Sequence, residues 1–260
     1  IAGKMMVVRS LQRDLRLTTV RPSSHPLADE TLPSFTFVAM VPMQVYNTLK
    51  VPCERERLMR IRHLIIGGGA ISDELAQMIK PLPNAVWSTY GMTETLSHIA
   101  LRRLNGPDAS LWYTPFDGVG ISLNADGCLV IDAPEVCAEP LVTNDIAQLR
   151  TDDRTGKTLF RIKGRKDNVV CSGGIKIQIE EVEETLRPHL SAPFMIVKKQ
   201  DEMLGEKAIL LTESADLTHI EKICRNTLPK YWVPREFLHI DHLPLTETGK
   251  PKRTLPFTPR

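Results

Sequence analysis

The chain has no paired cysteines. Its five, Cys53, Cys128, Cys137, Cys171 and Cys224, are odd in number and scattered without a CxxC spacing. That argues against a disulfide framework or a zinc ribbon and favours the reduced thiols of a cytoplasmic protein. No apolar run approaches the roughly 18 residues needed to span a bilayer, and the first residues lack a secretion-signal pattern. A net charge of +2 is too mild to argue for nucleic acid, and no long Lys/Arg run marks a basic arm. Aromatic residues are few, at 5%, and no tract is of low complexity. What is present is globular: 260 residues, 42% hydrophobic and 25% charged, enough for a large domain or a large one with a small one.

The spacing of Met5, Val8, Leu11 and Leu15 predicts a helix over residues 4–20, with Arg9, Arg13 and Arg16 on its outer side. "RPSSHPLADETLP" reads as a loop. "FTFVAM" reads as a strand broken at Pro42 and followed by a short helix. "IRHLIIGGGAIS" reads as a buried strand entering a glycine turn, after which Ser72 caps the helix "DELAQMIK". "NAVWSTYGMTET" predicts the same plan again: strand, polar loop, helix. The alternation predicts an α/β fold with a parallel sheet to about residue 110. From about 111, short runs between Asp-Gly and Pro punctuation predict a small antiparallel sheet or barrel. Past Gly174 come a helix in "IQIEEVEETL", strands in "APFMIVKK" and "EKAILLTE", a helix in "DLTHIEKICRNTL" and a last strand in "EFLHIDHL". This tail of about 90 residues can hold its own core. The expected division is 1–164, a hinge at 165–167, and 168–260.

Several segments carry chemical possibilities, each beside a plainer one. The glycines of "LIIGGGAIS" let backbone approach a flat ligand, or simply make a tight strand-to-helix turn; the segment is neither GxGxxG nor a P-loop. "STYGMTET" offers an aromatic face at Tyr90, close approach at Gly91, hydroxyls at Thr93 and Thr95 and a carboxylate at Glu94. That set suits phosphate oxygens and Mg²⁺, or the start of a helix. Asp145 in "LVTNDIAQL" stands where a carboxylate can accept from a ribose diol, or where Asn-Asp makes a turn. Lys250 in "TETGKPKR" is a solvated loop lysine or a mobile cation for a transferring group. "FRIKGRKDNVVCSGG" sets four cations and a glycine pair between apolar runs.

In order, "GGGAIS", "YGMTE", "TND", "GRKDNVVCSGG…EEVE" and "TETGKPKR" resemble the successive core motifs of the adenylate-forming superfamily, over about residues 37–253. "TYGMTET" with "CSGG" is most similar to the o-succinylbenzoate–CoA ligases of menaquinone biosynthesis. The resemblance implies the back part of a large α/β AMP-binding domain with a small β-barrel, then a small mobile α+β domain. It also implies an ATP-dependent acid–thiol ligase using ATP, Mg²⁺, coenzyme A and a small carboxylic acid; a homodimer is suggested only by how common homodimers are. Gly68, Gly69 and Ala70 would run along adenine and the acyl pocket, and Tyr90, beside Gly91, would pack on the adenine. Thr93 would contact the α-phosphate, Glu94 would bind Mg²⁺, and Asp145 with Arg165 would hold the ribose. Lys250 would bridge carboxylate and α-phosphate. Gly173 and Gly174 would leave room for pantetheine, and Lys166–Asp167 would swivel.

The pattern has departures. The family's usual Thr-Gly-Asp is Thr143-Asn144-Asp145, its second hinge Asp is Asn168, and an expected Arg is Lys176, a cation without the planar fork. The Ser/Thr/Gly-rich phosphate loop of the family is not present, so the expectation is a fragment that begins just after it. Lys4 and Arg9 are candidate cations for a second substrate carboxylate, or plain surface charges, and no sequence argument picks one. Other acyl- or aryl-CoA ligases, a carrier-protein adenylation domain and an inactive nucleotide-binding module remain the competing readings.

Overall fold

A computed structural model describes residues 2–69, 71–245, 252 and 253. Two compact units emerge. The first comprises residues 1–124, 130–143 and 148–161; the second comprises 125–129, 144–147 and 162–260.

Unit 1 opens with helix α1 (Ala2–Gln12). It is shorter than the periodicity predicts. Asp14 adopts a left-handed φ of 48° and Leu15 N donates to Ser10 O at 2.8 Å, a reverse turn that closes the helix. The face expected to point inward is also the wrong one: Leu11 is 78% exposed, whereas Arg9 is half-buried and Ser10 buried.

Strand β1 (Phe37–Met40) then leads into α2 (Pro42–Lys50) and α3 (Pro52–Met59). Both helices start on proline, whose missing N–H costs nothing at a first turn. Strand β2 (His63–Ile66) is followed by α4 (Asp73–Ile79), where Ser72 Oγ accepts from Leu75 N at 3.2 Å as the sequence predicts. Strand β3 (Ala85–Gly91) completes a parallel β1–β2–β3 core.

The predicted repeat of strand, loop and helix ends there. β3 is followed by β4 (His98–Arg103), which pairs with it antiparallel, and then by β5 (Thr114–Pro115). The reversal is made in the loop: Leu96 takes φ 60° and Thr95 is bonded to both sides of the turn. Val45, Leu49, Leu58, Leu64, Ile66 and Val86 form the core between sheet and helices.

Strands β6 (Gly120–Leu123), β7 (Cys128–Asp132), β8 (Leu141–Thr151) and β9 (Thr158–Arg165) form a four-stranded sheet in sequence order. Such neighbour-to-neighbour order is what short turn-punctuated runs give.

Unit 2 continues with a 3-10 turn (Lys166–Asn168), β10 (Val169–Ser172), β11 (Ile175–Gln178), α5 (Ile179–Leu186), β12 (Phe194–Asp201), β13 (Gly205–Thr212), α6 (Leu217–Thr227) and β14 (Glu236–His239). Its sheet runs β11–β10–β13–β12, with β14 parallel to β13. Because side chains alternate along a strand, Ile196, Ala208 and Leu210 face one core with α5 and α6. Met195, Val197, Ile209 and Leu211 face a second cluster. On α5, Ile179, Val182, Glu183 and Leu186 fall on one buried stripe, and one of these four is a carboxylate.

Candidate active site

The carboxyl ends of adjacent parallel strands are where open α/β sheets bind ligands. In unit 1, β2 runs into Gly67–Gly69 and β3 into Tyr90–Glu94, with Ile66 and Ser88 register partners at that edge. The structure thus brings Gly68, Gly69, Tyr90, Gly91, Thr93 and Glu94 to one edge of one sheet. Gly68 is exposed and requires its glycine, having φ 80°. Gly67, which sequence reasoning passed over, is the tighter position: a Cβ there would stand 2.4 Å from Thr89 Oγ1. Ala70 and Lys250 lie outside the described residues.

Tyr90 joins an aromatic trio. Its ring meets Phe160 edge-on at 5.0 Å and Tyr113 at 5.8 Å, while Tyr113 and Phe160 stack at 5.3 Å. Such contacts fix the ring's plane. Immediately after it the strand is irregular, and a Cβ on Gly91 would lie 2.4 Å from Ser97 O and 2.6 Å from His98 Cα. Only glycine lets the loop return so closely.

That loop is pinned from inside by Thr95, which is 1% exposed. Its Oγ1 accepts from Met92 N at 3.0 Å and lies 2.7 Å from Ser97 O and 3.1 Å from Met92 O as a donor. Thr95 is therefore committed to the loop, and the two residues before it, Thr93 and Glu94, are exposed. The four-residue pattern assigns the hydroxyls different tasks that the letters alone did not separate.

Arg9 was expected to lie outside its helix. Instead its Nη2 donates to Ser97 Oγ at 2.6 Å and approaches His98 Nδ1 at 3.2 Å. Burial, reinforced by the Arg9 charge, lowers the His98 pKa to about 4. His98 is thus neutral at pH 7, and Arg9 carries the positive charge at this end of the loop. Lys4 is exposed.

In unit 2 a second group forms. Arg165 Nη2 donates to Asp167 Oδ2 at 3.1 Å, and its Nη1 stands 3.5 Å from Asp145 Oδ1. The Asp167 hydrogen bond, helped by Asp145, raises the Arg165 pKa. Asn144 Nδ2 also reaches Asp167 Oδ2, at 3.5 Å, so the residue that departs from the family pattern is tied to the expected hinge acid. Lys166 Nζ bonds Asp126 Oδ2 at 2.6 Å. Gly173 and Gly174 form the two-residue turn of the β10–β11 hairpin, with φ of 56° and 82°. A hairpin turn with both φ positive calls for glycines on its own account.

Among the described residues no cluster of three or more His, Cys, Asp or Glu could hold a metal ion. A magnesium ion that travels with phosphate needs only one or two carboxylates. Glu94, exposed and without an ion pair among the described residues, fits that lesser requirement. No described helix is long and apolar enough to cross a membrane.

A solved AMP-forming acyl-CoA synthetase/AMP-acid ligase II-like protein from Dyadobacter fermentans is 32% identical, with a TM-score of 0.61, over 97% of this chain and 73% of that one. The chain belongs to the AMP-forming acyl-CoA synthetases. Within this adenylate-forming family, the 2-succinylbenzoate–CoA ligase of Bacillus mycoides is 23% identical over 277 residues, covering 96% of this chain. An o-succinylbenzoate–CoA synthetase from Bacillus subtilis, solved with its acyl-adenylate intermediate, shares the fold at TM-score 0.65 and 21% identity over 84% of this chain and 50% of that one. The chain spans 58% of the Bacillus mycoides ligase and 9% and 4% of two other curated relatives. No family model matches it. The α/β architecture expected from the five motifs is that of the back part of these synthetases.

Proposed function

We propose that the protein carrying this chain is an acid–thiol ligase that adenylates a carboxylate and passes the acyl group to coenzyme A. The observation that carries the reading is the β3–β4 loop. Buried Thr95 holds it rigid, and Thr93 and Glu94 are left exposed at the carboxyl edge of the parallel sheet.

In the first half-reaction a carboxylate oxygen attacks the α-phosphorus of ATP, and the bond to the β-phosphate oxygen breaks to release pyrophosphate. Negative charge grows on the α-phosphate oxygens, so the work of the protein is positioning and electrostatic stabilisation. Gly68, Gly69 and Ala70 would let backbone lie along adenine, and Tyr90, its plane fixed by Phe160 and Tyr113, would cover the ring's face. Thr93 would donate to the α-phosphate. Glu94 would hold Mg²⁺, which when bound would offset phosphate charge. Asp145 would accept the ribose hydroxyls while Arg165 keeps its carboxylate in place. Lys250 would bridge carboxylate and α-phosphate.

In the second half-reaction the thiol of coenzyme A attacks the acyl carbon, losing its proton, and AMP leaves. Lys250 would obstruct that approach, so the chain after the 3-10 turn would swing about Lys166–Asp167 between steps. Breaking the Lys166–Asp126 pair would cost little, because it is exposed on both sides.

The acid would be o-succinylbenzoate, the substrate named in the similar ligases, and the reaction would then serve menaquinone biosynthesis. Arg9 supports this choice. It is half-buried, held by Ser97 and His98, and unpaired with any carboxylate among the described residues. A guanidinium so placed suits the second carboxylate of an aromatic dicarboxylate.

A panel of acids with ATP, coenzyme A and Mg²⁺, read by pyrophosphate release, tests the reading. Release with o-succinylbenzoate that falls more than about tenfold in Arg9→Met supports it, by the usual worth of a charge-assisted contact. Equal turnover of monocarboxylates by the wild type would overturn the choice of acid, and no release with any acid would overturn the activity.

A further inference from the structure

Unit 1 holds a cleft of about 750 Å³ whose lining includes the half of β3 and β4 away from the Tyr90–Glu94 loop. At its wall Trp87 is the register partner of Arg103, and the Arg103 guanidinium lies 5.1 Å over the indole. Arg150 lies 4.9 Å over Trp112 in the same way. Arg102 stands 5.2 Å from the Tyr113 ring, and Arg154 completes the set at the exposed turn after β8.

Four arginines converging on one concavity repel one another and cost stability unless something answers their charge. Carboxylates of the chain do so only in part: Asp152 feels the charges of Arg154 and Arg150 without a direct ion pair, and Asp108 shares the lining. None of the four is ion-paired among the described residues. Of the acids nearby, Asp117 is taken by Lys157 at 2.6 Å, and Asp152 accepts from Thr155 Oγ1 at 2.5 Å. Arg102 Nε is buried with no acceptor among the described residues, while its Nη1 reaches Ser110 O at 3.4 Å. Stacking on indoles fixes the guanidinium planes of Arg103 and Arg150; Arg103 Nε is held by Asn105 Oδ1 at 3.0 Å, and the remaining N–H groups are preorganised for phosphate or carboxylate oxygens.

We infer that this cleft binds an oligophosphate group, either free or carried on a nucleoside, at a site separate from the loops at the carboxyl edge of β2 and β3. One carboxylate would answer one fork. A diphosphate brings several oxygens and at least two charges, matching dispersed guanidiniums in a cleft of ligand-pocket size. The site stands apart from the adenylation reading and does not depend on it.

The three indole N–H resonances of the full chain give a local readout, because Trp87 and Trp112 line the cleft and Trp232 belongs to unit 2. Each is assigned by Trp→Phe substitution, and inorganic pyrophosphate is titrated at constant ionic strength. The expected result is saturable shifts of Trp87 and Trp112 with Trp232 still, and affinity weakened about tenfold or more in the Arg102→Gln/Arg150→Gln double variant. Arg154→Gln, at an exposed turn, weakens it singly should the double variant fail to fold. Tighter binding of ADP than of pyrophosphate in this readout assigns the group to a nucleotide; equal binding assigns it to free oligophosphate. Three indoles shifting alike, no saturation at millimolar anion, or shifts that survive the arginine substitutions would each overturn the inference.

Discussion

Arg253 grips Glu183 with both arms of its guanidinium, Nη1 to Oε1 at 2.5 Å and Nη2 to Oε2 at 2.8 Å. The same Nη1 donates to Ile196 O at 2.7 Å, and Ile196 N donates to Glu183 Oε1 at 2.7 Å. The two side chains are 16% and 9% exposed. Burial works against the Arg253 charge, yet the Glu183 carboxylate outweighs it and the pKa is raised. Arg253 stands three residues after Lys250. Removing it leaves a carboxylate buried among Val182, Leu186 and Ile196, a change that costs about 3 kcal/mol or more. Arg253→Ala should therefore lose about that much stability in urea melts, and adenylation should fall further than stability alone explains. Arg253→Lys, lacking the fork, should recover only part of either.

Thr95 and Gly91 test whether the β3–β4 loop must be rigid. Thr95→Val leaves Met92 N without its partner in a partly buried site and should cost about 1–3 kcal/mol. Gly91→Ala drives a Cβ into Ser97 O and His98 Cα and should cost a similar amount. Thr93→Ala, at an exposed position, should leave the melting curve unchanged while lowering the adenylation rate. Equal losses of stability from all three would remove the distinction drawn between staple and catalyst.

His98 gives the loop a pH dependence with a definite sign. Its folded pKa of about 4 lies below the ordinary 6.5. Between those values the unfolded chain binds a proton that the folded chain refuses, so stability falls as pH drops from 6.5 towards 4 and levels off below. Above 6.5 the two states bind equally and nothing is lost. In His98→Asn this component should vanish, and denaturation midpoints at pH 7 and pH 5 should differ less than in the wild type. Parallel losses in both proteins would show that the imidazole is not the group responsible.

Asp167 tests the swivel. A proline there fixes φ and restricts Lys166 before it. Asp167→Pro should leave acid-dependent pyrophosphate exchange largely intact and slow thioester formation sharply, as followed by rapid quench. Unchanged thioester kinetics would move the hinge to another segment.

Much of this was legible in the sequence, and the reasons for the misses are specific. Ser72 before "DELAQMIK" is a local signal, and a local hydrogen bond carries it out. The strands "APFMIVKK" and "EKAILLTE" are legible because their apolar runs are long enough to bury both faces. The turn after Gly91 was read as a helix start because Thr and Glu there look like a cap. What decides otherwise is Thr95 folding back on Met92 and Ser97, together with contact between Gly91 and His98 across seven residues. Arg9 was assigned to the outside of α1 by its charge, since periodicity cannot foresee Ser97 and His98. Glu183 carried a signal that could have been used: a carboxylate on the apolar stripe of α5 demands a cation, although nothing local names Arg253.

In the proposed mechanism one lysine, Lys250, serves the first half-reaction and must leave for the second. The direct measurement is the two half-reactions of Lys250→Ala in the full-length protein: acid-dependent ATP–pyrophosphate exchange, and thioester formation from supplied acyl-adenylate and coenzyme A. Exchange should be abolished while thioester formation continues near the wild-type rate. Equal loss of both, or exchange that persists without Lys250, would contradict it.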